Sequence, residues 1–116
     1  MKRARLIIDG TPADIDVLVT QRARERMRGL LGRASLAANE ALLLSPCRSI
    51  HTFGMRFAID VLFVDRHGRV VTIHRGVPRA RLLFSLRGVK ALEMAAGAAR
   101  ACSIEVGNVL GFEVDA

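Results

Sequence analysis

Hydrophobic and polar positions alternate along most of this chain with the two-residue period of half-buried strands. In "RLIIDGTPADIDVLV" the stretches Arg5 to Ile8 and Ile15 to Val19 flank a turn containing Asp9-Gly10, which predicts two short strands. The period changes at "TQRARERMRGLLGR". There Ala23, Met27, Leu30 and Leu31 share one helical stripe, Thr20 can cap the start, and Gly32 stands where a helix would stop. This predicts one main amphipathic helix with Met27, Leu30 and Leu31 inward and Arg22, Arg26 and Arg33 solvated.

"EALLLSPC" reads as a strand closed by Pro46, and "CRSIHTFGMRFAIDVLFVD" follows as a loop from Arg48 to about Gly54 and a strand from Arg56 to Val64. That strand is apolar on both faces, with Asp60 the exception, and a strand of this kind belongs inside a sheet. "DRHG" predicts a hairpin turn with Gly68 at positive φ and His67 in water, and "RVVTIH" is the returning strand. Gly and Pro punctuate "RGVPRARLLFSLRG", which predicts an irregular, flap-like connection. In "VKALEMAAGAARAC" helix formers compete with alternation around Glu93. The expectation is a strand through Glu93 and a helical turn from Ala98 to Cys102. "IEVGNVLGFEV" adds a turn at Gly107-Asn108 and a last strand. The whole predicts a single domain over residues 1–116 of α+β class, mainly β: a twisted sheet or partly closed β-barrel with one main amphipathic helix.

Composition narrows the partners. Only 4% of residues are aromatic, all of them Phe, so there is no stacking platform for bases, which weighs against nucleic acid. The net charge of +7, carried almost wholly by arginines, suits anions instead, and a guanidinium can grip a carboxylate or phosphate with two bonds. The start "MKRARLIIDG" lacks the apolar length of a signal peptide, and no run approaches a membrane span. The expected compartment is the cytoplasm, where Cys47 and Cys102 stay reduced.

Candidate chemistry gathers in and beside the 47–60 stretch. An ionised Asp60 on an apolar strand costs several kcal/mol unless something satisfies it. The expected anchors are Arg28 or Arg33, or loop amides around Thr52. Cys47 and His51, four residues apart, can converge on one ligand or pair a thiol with a base, and Thr52 and Met55 accompany them in the loop. Glu93 repeats the situation of Asp60 on a second strand, either beside it as a carboxylate pair or bonded to an arginine. Potential metal ligands are Cys47, His51, Asp60 and Glu93, but their spacing matches no known cage, so no metal or cofactor is implied. His74 and Cys102 read as structural.

Taken as a set, "RMRGLLGR", "HTFGMRFAIDVLFVDRHGRVV", "ALEMAAG" and "VGNVLGF" resemble, in order and spacing, a bacterial and archaeal family known as domain-of-unknown-function family 192. The resemblance spans nearly the whole chain and implies a small, mainly β domain with no established activity. Many members carry Trp, Thr and Pro where this chain has His51, Met55 and Ala58, so it is similar to a His-Thr-Phe-Gly-Met branch. It also has Asn108 where Asp is more usual and Leu42-Leu43 where Met-Leu is more usual.

The expected function is a binding module for an anionic small molecule or peptide segment. Its pocket is framed by Cys47, His51, Thr52, Met55, Asp60 and Glu93, with Arg28 and Arg33 contacting the anion or anchoring the site. Two alternatives stand beside it: a hydrolase using Cys47 with His51, or a metal at His51 and Asp60; and an accessory protein of a cell-envelope assembly, since relatives often carry export signals. An exposed apolar patch would favour the accessory protein.

Overall fold

The computed structural model describes residues 2–22, 25 and 28–114. Nine strands carry it: β1 (Lys2–Ile8), β2 (Thr11–Val19), β3 (Glu40–Leu44), β4 (Ser49–His51), β5 (Ile59–Val64), β6 (Val70–Val77), β7 (Leu82–Phe84), β8 (Lys90–Ala95) and β9 (Leu110–Val114). A four-residue helix, α1 (Ala98–Ala101), follows β8. Seven strands form one sheet in the order β6-β5-β8-β3-β2-β1-β9, and β4 and β7 form a separate pair. All neighbours are antiparallel except β2 and β3.

The alternation explains the layers. Every residue of β5 is buried, as its two apolar faces require. Leu62 and Val64 face a core shared with Leu92, Met94 and the α1 residues Ala98 and Ala99. Ile59, Val61 and Phe63 face a second core with Leu42, Leu44, Ala91, the β4 residue Ile50 and the loop residue Met55.

Of the two architectures expected, the sheet takes the twisted, open form and not that of a barrel: β6 and β9 end the strand order, and the residues just before them, Arg69 and Val109, form an isolated bridge. The flap predicted for "RGVPRARLLFSLRG" is also more ordered than its Gly and Pro residues suggest. β6 continues to Val77, and Leu82–Phe84 pairs with Ser49–His51, a partner remote in sequence that local punctuation does not reveal. Of the predicted main helix, Glu25 and Arg28 are helical, and the Gly29 N–H donates to the Glu25 carbonyl at 2.9 Å. Ala23, Arg26 and Met27 lie outside the described residues. Leu30 is buried and Leu31 half-buried, both toward the second core.

Candidate functional site

Asp60 is fully buried, but neither an arginine nor the loop around Thr52 holds it. Its Oδ1 accepts from the Gly76 N–H at 2.8 Å, and its Oδ2 accepts from Gly97 and Ala99 N–H, each at 3.1 Å. The first amides of a helix have no internal partner, and Gly97, at the N-cap of α1, has no side chain to offer. Asp60 supplies that cap from a different strand. Its job is to tie β5, β6 and α1 together, and the expected bonds to Arg28 or Arg33 are replaced by backbone donors that need no long side chain to be ordered. Arg33 instead meets Glu40 at 3.4 Å, on the surface.

Thr52 is likewise an anchor. It is 1% exposed, its Oγ1 donates to the Pro78 carbonyl at 2.7 Å, and the same oxygen accepts from the Arg81 N–H at 2.8 Å. The ligand-facing position expected for it is therefore not what its hydroxyl occupies. Through these bonds the loop after β4 is pinned to the chain that leads into β7.

The remaining candidates converge. A cleft of about 520 Å³ is lined by Arg28, Cys47, His51, Met55 and Glu93, together with Arg48 and the apolar side chains of Leu30, Leu44, Pro46 and Ile50. Its size is in the range that takes small organic molecules. The β3–β4 connection carries Pro46, Cys47 and Arg48 to its edge, and the cis Ser45–Pro46 bond lies in that connection. The Cys47 thiol donates to the Ser49 carbonyl at 3.1 Å. His51 is exposed, with its ring tilted against Phe53 at 6.1 Å.

Glu93 is the unusual member. It enters the cleft from the interior strand β8, where Val61 on one side and Leu42 on the other are its register partners. The residue is 4% exposed, and its Oε1 is buried with no hydrogen-bond partner. Burial pushes its pKa up from the ordinary 4.5 to about 7, so near neutral pH it is a mixture of acid and carboxylate. The bond to an arginine that its sequence context suggested is not made. A buried, unpartnered carboxyl lining a cleft makes that cleft the candidate binding site.

Asp60 and Glu93 do not form a carboxylate pair, and His51 and Asp60 do not form a metal pair, because Asp60 lies on the other face of the sheet from the cleft. No group of three His, Cys, Asp or Glu side chains able to hold a metal occurs among the described residues. The sequence reading missed Arg48, although it stands next to Cys47, and missed Leu44 and Ile50, which carry no signal beyond ordinary core residues. His74, read as structural, is half-buried with its ring edge-on to Phe63 at 5.9 Å and its Nε2 unpartnered. Cys102 packs against the first core, and burial raises its thiol pKa.

The comparisons with known proteins agree with this architecture. A crystal structure of a Sinorhizobium meliloti protein proposed to be a transcription regulator superposes with a TM-score of 0.82 at 22% identity, over 96% of this chain and 92% of that one. A protein of unknown function from Novosphingobium aromaticivorans superposes with a TM-score of 0.81 at 17% identity, over 94% of this chain and 83% of the other. At these identities the likeness shows the fold alone. A search of the curated proteins gives no match. The sequence profile of DUF192, described as "Uncharacterized ACR", matches residues 4–112, from β1 into β9 and across every wall of the cleft, so the chain belongs to domain-of-unknown-function family 192.

Proposed function

We propose that the protein is a binding module for a small molecule with an anionic head and an apolar body, seated in the Glu93 cleft. The observation that carries this reading is the unpartnered Oε1 of Glu93 at the floor of an apolar cleft edged by two arginines. A buried carboxyl without a protein partner is costly, and a ligand that bonds to it recovers that cost. In its protonated form Glu93 donates to an anionic oxygen. Arg28 and Arg48 at the cleft edge attract the same charge, and Leu30, Leu44, Ile50 and Met55 accept the apolar portion. A cytoplasmic location, with both thiols reduced, belongs to the same proposal.

The Cys47–His51 hydrolase gains less support, since the thiol is directed to the Ser49 carbonyl. Titration of the labelled protein with octanoate, and with octanol as the uncharged control, tests the binding reading by NMR. The expected result is saturable shifts at Leu44, Cys47, Ile50, Met55 and Glu93 with octanoate, weakened by Arg28→Glu. Equal shifts with octanol, or none at these residues, would refute it.

A further inference from the structure

We propose that the lobe built on β4 and β7 docks on an anionic lipid surface, inserting Phe53, Leu82, Phe84 and Leu86 among the headgroups while arginines around them hold the lipid charge. These four side chains are 55%, 67%, 68% and 86% exposed, more than half of the large exposed apolar residues among those described. The lobe is knitted together so that they lie in one region. Leu82 pairs with His51 and Phe84 with Ser49 across the two strands, which puts Leu82 and Phe84 on one face and turns Ile50 and Leu83 toward the second core. The Ser85 N–H donates to the Arg48 carbonyl at 2.9 Å and Arg48 Nη1 donates to the Leu86 carbonyl at 3.2 Å, fixing the turn that presents Leu86. Phe53 stands beside His51.

Charge selects the occupant. Arg48, Arg56, Arg79, Arg81 and Arg87 are all exposed on this lobe, and no Asp or Glu occurs from residue 41 to 59 or from 66 to 92. None of the five makes an ion pair among the described residues. Phe53, Arg56 and Arg79 line a shallow second cleft of about 580 Å³, suited in charge to a phosphate headgroup. A protein interface commonly mixes charge signs and fixes one register, whereas a headgroup layer offers a single sign over a plane and no register. Protruding apolar side chains interleaved with cations of one sign supply the two signals that stable attachment to an anionic bilayer needs. The inference does not rest on the Glu93 cleft.

Co-sedimentation with vesicles of phosphatidylcholine alone, and of phosphatidylcholine mixed with phosphatidylglycerol, tests it. The wild-type protein is expected on the anionic vesicles only, with retention falling as salt is raised. Phe84→Ser with Leu86→Ser should lower the partition by about tenfold or more, and Arg79→Glu with Arg87→Glu should abolish it. These side chains are exposed, so the variants keep the fold, which circular dichroism checks. Equal retention on both vesicle types, or retention indifferent to Phe84 and Leu86, would overturn the proposal. So would failure to sediment together with a wild-type dimer, or with binding of an acidic amphipathic peptide, that the Phe84 and Leu86 substitutions abolish, since the lobe would then belong to a second copy or to a protein partner.

Discussion

Asp60 and Glu93 occupy neighbouring strands one register step apart: Asp60 stands opposite Met94, and Glu93 stands opposite Val61. Because successive side chains of a strand point to opposite faces, that single step sends the two buried acids to opposite sides of the sheet. One meets three amides, and the other lines the cleft with its Oε1 unpartnered. The same desolvation cost is thus met by structure in one case and left open in the other.

The open cost should be visible as a pH dependence. In the unfolded chain the Glu93 carboxyl loses its proton near pH 4.5, while burial keeps it protonated in the folded protein up to about pH 7. Between these values the folded state binds more protons, so stability falls as pH rises. The contribution is whole below the lower value and lost above the higher, a swing of about 3 kcal/mol. Denaturant unfolding of wild type and Glu93→Gln across this range should show a gap between them that changes by that amount. A constant gap would mean that Glu93 does not titrate in the window.

The anchors should behave differently from the cleft residues. Asp60→Ala strands the amides of Gly76, Gly97 and Ala99 and is expected to cost about 3 kcal/mol or more. Thr52→Ala breaks the link from the β4 loop to Pro78 and Arg81 and should cost about 1–2 kcal/mol. His51→Ala, at an exposed position, should cost under about 1 kcal/mol. Thermal unfolding of the three variants gives the order directly, and a loss for His51 equal to that for Asp60 would reverse the assignment of anchor and cleft residue.

What the sequence made legible follows from the range of the interactions. β5, the Asp65–Gly68 turn and the break between β8 and α1 are written in local alternation and turn chemistry; the turn and the break lie where the pattern puts them, and β5 ends at Val64 as expected but begins at Ile59 and not at Arg56. Cys47, His51, Met55, Glu93 and Arg28 share a cleft, yet Asp60 and Thr52, chosen on the same ground of polar residues near apolar runs, are anchors. Which face Asp60 takes was readable from its strand. That Gly97 and Ala99 wait on that face depends on a pairing 37 and 39 residues away, which no local pattern encodes. The β4–β7 pair was hidden for the same reason, since each strand is three residues long and exists only with its partner.

Gly68 should be intolerant of any side chain. It holds φ +84°, and its carbonyl accepts from the Leu110 N–H at 2.8 Å where the β5–β6 turn touches the start of β9. A Cβ there would collide with the Leu110 carbonyl oxygen, which is backbone and cannot move aside cheaply. Strain at positive φ adds to the clash, so Gly68→Ala is expected to lose about 2–4 kcal/mol. Gly10, with φ +83° and open space around it, should lose only about 1 kcal/mol as Gly10→Ala. Equal midpoints for the two variants in urea would contradict the clash.

Asn108 has a partner that calls for its amide. Its Nδ2 donates to Asp9 Oδ2 at 2.6 Å and its Oδ1 accepts from the Glu105 N–H at 2.6 Å, while Asp9 Oδ1 accepts from the Val109 N–H at 2.8 Å. An aspartate at 108 would remove the donor and set two carboxylates against each other. Asn108→Asp is therefore expected to cost about 1–2 kcal/mol at neutral pH. Mutual repulsion would raise the carboxyl pKa values in the folded variant, so the loss should shrink as acid protonates the pair. Exchanging the two residues, Asp9→Asn with Asn108→Asp, keeps one amide and one carboxylate and should recover most of the stability. A double-mutant cycle at neutral and acid pH reads the coupling. Additive losses in the exchanged protein would show that the two side chains do not act as a pair, and that Asn108 is held by its bond to Glu105 alone.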